Sequence, residues 1–127
     1  MEKNNLPKII PVFPLSNFIL FPKTSVPLNI FEPRYIDMIN DSMKLNKLIG
    51  MIQPFGSNDI EELPPKLHTI GCLGKITSFK ETDNGTFLVE LKGLVRFETI
   101  NEIESNKKYR QYEVNFEKFQ NDLKNEK

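Results

Sequence analysis

The alternation of residues 70 to 97 leaves this chain few ways to fold, because apolar side chains recur at every second position on both sides of a turn sequence. In the first arm Ile70, Cys72, Gly74 and Ile76 fall on one face and Leu73, Lys75 and Thr77 on the other. In the second, Phe87, Val89, Leu91, Val95 and Phe97 oppose Glu90, Lys92 and Arg96. Between them stands Asp83-Asn84-Gly85-Thr86, whose Asn-Gly pair readily takes the positive φ angles of a tight hairpin. A period of two sends each set to one side of a sheet, so the pattern predicts a half-buried hairpin with Cys72 facing the core. Gly93 falls in the apolar set without a side chain. It predicts a bulge or a close approach of another backbone, either of which bends the strand as closure of a small barrel requires.

Proline restricts what can pair with that hairpin. Six of the nine prolines lie in the first 33 residues, punctuating IIPVF, FILFP and SVPLNIF. Proline brings no amide to a ladder, so these pieces are expected as edge or bulged strands and turns rather than central strands. In PLNIFEPRYIDMI the period then changes. Val26, Leu28 and Ile30 alternate with Pro27, Asn29 and Phe31, after which Ile36, Ile39 and Met43 recur at helical spacing. Pro33 suits a first helical turn, where its missing amide would have no partner. The stretch reads as a strand-to-helix corner with a helix over residues 33–44.

KLIGMIQP returns to a short strand that Pro54 stops, and QPFGSNDIEELPPK has the composition of a long loop with Phe55 near its start. Tyr112, Val114 and Phe116 share one face of a last strand. Phe116, Phe119 and Leu123 then fit a helix that is expected to be cut short, with no partner in view. These signals predict a mainly β (α+β) fold with one main helix near residues 33–44, one domain over residues 1–122, and the start of a helical extension at 123–127.

Chain length and charge narrow the function classes. A chain of 127 residues is enough for one core. Seventeen basic and seventeen acidic residues cancel, which removes the global field expected of a nucleic-acid binder. The apolar runs are far too short to span a bilayer, MEKNNLPKII lacks the apolar core of a secretory leader, and a single cysteine forms no internal disulfide. A soluble cytoplasmic protein without a membrane partner is the expectation.

Chemistry is hard to find. Gly71-Cys72-Leu73-Gly74-Lys75 has two residues between its glycines where a phosphate loop needs four, and Ile76 follows in place of serine or threonine. His68 and Cys72, four apart on a strand, would stand about 13 Å from each other. Glu61 and Glu62 are adjacent in a loop rather than opposed as an acid and a base are. No catalytic residue, metal site or cofactor is expected.

In this order PVFPL, ILFP, PLNIFEPRY, IGMIQP, IGCLGKITSF and DNGTFLVELKGLVRFE resemble the amino-terminal, substrate-binding domain of the ATP-dependent Lon protease family, and above all the stand-alone bacterial Lon-domain proteins. The similarity covers residues 9 to 122, and its most specific part is IFEPRY with the upstream FPL and the downstream G-L-RF step. The resemblance implies a PUA-like pseudo-barrel. It also implies a non-enzymatic domain that binds exposed or unfolded protein segments in connection with ATP-dependent proteolysis; the ATPase and serine-lysine peptidase of full-length Lon proteases have no positions here. A scaffold or adaptor with a single partner is the alternative. RNA binding, known in other PUA-like folds, sits poorly with the neutral composition. The candidate protein-binding residues are Phe31, Glu32, Arg34, Tyr35 and Phe55. The first and last are apolar anchors not accounted for by the core, and the other three belong to the corner motif. There Glu32 favours the positive end of the helix and Tyr35 packs one ring edge inward, so the motif is either a joint or a contact surface.

Overall fold

In the computed structural model, which describes residues 6–16, 18–54 and 67–124, the chain runs β1 (Ile9–Pro14), β2 (Ser25–Ile30), α1 (Pro33–Lys44), β3 (Leu48–Ile52), β4 (Ile70–Glu81), β5 (Phe87–Ile103) and β6 (Gln111–Asn115). A 3₁₀ helix over Glu117–Leu123 follows, in the stretch where the spacing predicts a helix. The strands form one sheet in the order β2-β5-β4-β3-β1-β6, and the far part of β5 pairs with β6 as well. Hydrogen bonding therefore passes in a ring from β5 through β4, β3, β1 and β6 back to β5, with β2 attached outside it. The result is mostly strand and is not a clean barrel.

The hairpin is present, with instructive departures. Only Gly85 takes a positive φ, +79°, and Asn84 does not. The Gly85 amide donates to the Thr82 carbonyl (3.1 Å) and the Thr82 amide to the Thr86 carbonyl (2.9 Å), so one additional loop residue relieves Asn84 of the left-handed conformation. Gly93 fulfils both expectations. Leu73 pairs with Val95 but Gly74 with Gly93, leaving Leu94 as the extra residue of a bulge. The Gly93 amide donates to the Thr24 carbonyl and its carbonyl accepts from the Lys23 amide, each at 2.8 Å.

Ile70 is exposed and Leu73 buried, which reverses the sequence assignment for this pair. A period-two reading supposes one wet face, whereas β3 and the middle of β4 are covered on both. Cys72, Ile76, Phe87, Val89 and Leu91 join Met38 and Ile39 of α1 in one apolar cluster. Leu73, Val95 and Phe97 join Ile10, Val12 and Val114 in a second. The helix supplies Met38, Ile39 and Ser42 as its buried stripe, with Tyr35, Ile36 and Met43 packed beside it.

The proline-rich third behaves differently in its three pieces. β2 is an edge strand, as expected. β1 lies inside the sheet, pairing antiparallel with β6 over Ile9–Pro11 and parallel with β3 over Val12–Pro14. Its prolines are tolerated because Pro11 and Pro14 each stand at the end of one ladder. FILFP makes no strand; Phe18–Pro22 crosses near Gly93 as an irregular arm. The carboxy-terminal 3₁₀ helix is not without a partner. Phe119 and Leu123 pack on the second cluster, and the Arg96 guanidinium donates twice to the Asp122 carboxylate, at 2.9 Å each, while stacking over the Phe119 ring. That pairing holds the Asp122 carboxyl below the usual carboxylate range.

Candidate functional site: a groove beside the edge strand

The strand-to-helix corner closes one end of an apolar groove of about 370 Å³. Its walls are Phe13 and Leu15 at the end of β1 on one side and Pro27, Leu28 and Phe31 along β2 on the other, with Tyr35 of α1 between them. Local sequence explains the corner. Ile30 is the last inward residue of β2, so the next side chain, Phe31, turns out and remains 65% exposed. Glu32 is extended (φ −70°, ψ 134°) and its carbonyl accepts the Tyr35 and Ile36 amides, both at 2.9 Å, which starts the helix.

The Glu32 carboxylate makes no capping hydrogen bond. It instead accepts from Arg34 Nε at 3.1 Å, and the Arg34 guanidinium lies 5.1 Å from the centre of the Tyr35 ring. Glu32 stands at the N-cap position of the helix, where its charge faces the positive end, but its carboxylate pairs with Arg34 rather than with the first amides. The Tyr35 ring meets the Phe13 ring at 4.4 Å, and burial pushes its phenol above the ordinary value. Tyr35 is thus a joint and a wall at once. Replacing it with alanine is expected to lower unfolding stability by about 1–2 kcal/mol, while Tyr35→Phe, which keeps the ring contact, should be close to neutral. Denaturant titration checks this, and equal stability of the alanine variant would remove the joint.

The structure brings Phe31, Glu32, Arg34 and Tyr35 to one place. Phe55 lies outside the described residues, as do Glu61 and Glu62. Sequence reasoning missed Phe13, Leu15 and Pro27, which join the site only through non-local packing.

It also missed a second, larger trough of about 500 Å³ between the Phe18–Pro22 arm, the end of β3 and the start of β4. Ile19 and Phe21 stand more than half exposed on its rim, and Ile70 is exposed there too. The signal was available in FILFP: apolar residues in unbroken succession cannot all point inward. Cys72 and His68 both border this trough. Burial, and then the Asp122 charge, push the thiol up to about 12, so it offers no thiolate at neutral pH. Among the described residues no group of histidine, cysteine and carboxylate side chains is placed to hold a metal ion. No described helix is long and apolar enough to cross a membrane. Most of the groove's lining is apolar, with Glu32 and Arg34 at the corner, whereas the trough also carries His68, Arg96 and Asp122.

A family model described as the ATP-dependent protease La (LON) substrate-binding domain matches residues 9–127. A Lon protease of Flavobacterium johnsoniae is 31% identical over 109 residues, covering 86% of this chain and 13% of that protein. One from Desulfosudis oleivorans is 32% identical over 104 residues, covering 81% and 13%. Among solved structures, a Lon N-terminal domain protein from Xanthomonas campestris aligns with a TM-score of 0.67 at 24% identity, over 85% of this chain and 59% of that one. The N-terminal domain of the Mycobacterium avium complex Lon protease aligns at 0.66 and 15% identity, over 86% and 54%, a likeness of fold.

Proposed function

This chain belongs to the ATP-dependent protease La (LON) substrate-binding domain family, and from that premise we propose that it is a protein-binding domain which takes up exposed apolar or unfolded segments of other proteins for ATP-dependent proteolysis. It is a substrate-binding domain and not an enzyme, and it spans 13% of the length of the two Lon proteases above. Cytoplasmic residence, with proteins rather than nucleic acid or membrane as partners, belongs to the same proposal. The observation that supports it most is the exposed Phe31 beside a preformed groove of apolar side chains, since exposed aromatics next to such a groove are effective anchors for a chain.

The test compares one protein in its native and its permanently unfolded form. The chain is expected to retain the unfolded form alone, with an affinity that changes little with salt, because apolar burial is not screened as exposed charge contacts are. Equal retention of both forms, or of neither, would contradict the proposal.

A further inference from the structure

Among the described residues β2 has a strand neighbour on one side only. The direction of its free backbone groups follows from the next strand. Gly93 of β5 turns its amide and carbonyl to Thr24 and Lys23 on the β2 side. Glu90, three residues earlier and of opposite parity, presents its carbonyl to the Thr77 hydroxyl of β4 at 3.3 Å. The N–H and C=O of one strand residue leave on the same side, so Glu90 faces β4 and its β2 partner, Pro27, turns its backbone away from β5. By alternation Ser25 and Asn29 do the same, while Val26, Leu28 and Ile30 bond to β5.

The outer edge therefore presents the Ser25 and Asn29 amides and the Ser25, Pro27 and Asn29 carbonyls. No described backbone group outside β5 bonds to these residues. The single proline subtracts one donor from this edge and leaves the rest. The apolar groove is lined in part by Pro27, Leu28 and Asn29 of this same strand.

We propose that this edge takes an extended, uncharged apolar segment of a client protein as an added strand. The inference rests on the protein-binding reading above and specifies where and how the client sits. Backbone groups of the client would satisfy those of Ser25, Pro27 and Asn29, and every second side chain would enter the groove between Leu28, Phe13 and Tyr35. The two charged residues of the groove, Glu32 and Arg34, neutralise each other, so its complement is a neutral segment. A second copy of this chain is the weaker occupant. Pairing β2 with itself across a two-fold axis sets two prolines in one short ladder and doubles the missing donors.

The probe is a short fluorescent peptide, neutral, with apolar residues at alternate positions, prepared also with backbone N-methyl groups on one or the other alternate set of amides. Methylating the set that faces β2 is expected to weaken binding about tenfold or more, and methylating the other set to change little. Asn29→Pro, which deletes an outward amide that the sheet does not use, should reproduce the loss with an unchanged circular dichroism spectrum. Binding of the parent peptide that neither methylated set disturbs would overturn strand addition and leave the protein-binding reading standing. Failure of every unfolded chain and peptide to bind would overturn both. A concentration-dependent dimer that Asn29→Pro dissolves would assign the edge to a second copy and overturn the proposal.

Discussion

Phe97→Ala is expected to cost about 3–5 kcal/mol of unfolding stability, at the upper end for removal of a core aromatic. Phe97 is fully buried, and its ring meets Phe116 edge-on at 6.4 Å between centres. What raises the cost is the wall of its cavity. A side chain built on Gly50 would come within 3.0 Å of the ring, and one on Gly71 within 2.6 Å, so both glycines leave space for it. Glycine backbone in β3 and β4 is held by ladder bonds and cannot collapse into a void as a neighbouring leucine can. Chemical denaturation of the two proteins measures the difference. A loss below about 1 kcal/mol would mean that the site refills, contrary to this packing.

Gly93→Ala should also be damaging, through the opposite mechanism. Its added methyl would lie 2.1 Å from the Phe21 carbonyl oxygen and 2.8 Å from the Phe21 carbonyl carbon, which are backbone atoms with no rotamer to escape into. The arm must move, and the two 2.8 Å hydrogen bonds that tie Lys23 and Thr24 to Gly93 must weaken with it. A loss of about 1–3 kcal/mol follows from overpacking alone. Because that arm leads directly into β2, the variant should also bind unfolded protein less well under conditions where it remains folded. Unaltered stability and binding would show that the contact is not a pin.

These two positions also show how far the sequence could be read. Gly93 was visible because a residue without a side chain in an alternating set is a local anomaly, and the corner was visible because Pro33 and the change of period adjoin. Four of the five candidate residues come together for the same reason, being contiguous in IFEPRY apart from Pro33. The interior place of β1 was not legible, since its prolines look like edge residues until the chain is known to change partners between Pro11 and Val12. The burial of Leu73 was hidden likewise, because alternation cannot report a strand covered on both faces. The far wall of the groove, Phe13 and Leu15, is brought to β2 only by non-local packing.

The most direct measurement of the central claim is photo-crosslinking of an unfolded client to the intact chain, followed by mapping of the attached residues. Labels are expected at Phe13, Leu15, Pro27, Asn29, Phe31 and Tyr35, and should fall sharply in Phe31→Ser while its thermal unfolding stays close to wild type, since Phe31 is already largely in water. Labels concentrated around Lys92 and Arg96 on the hairpin, with none along the groove, would contradict the account.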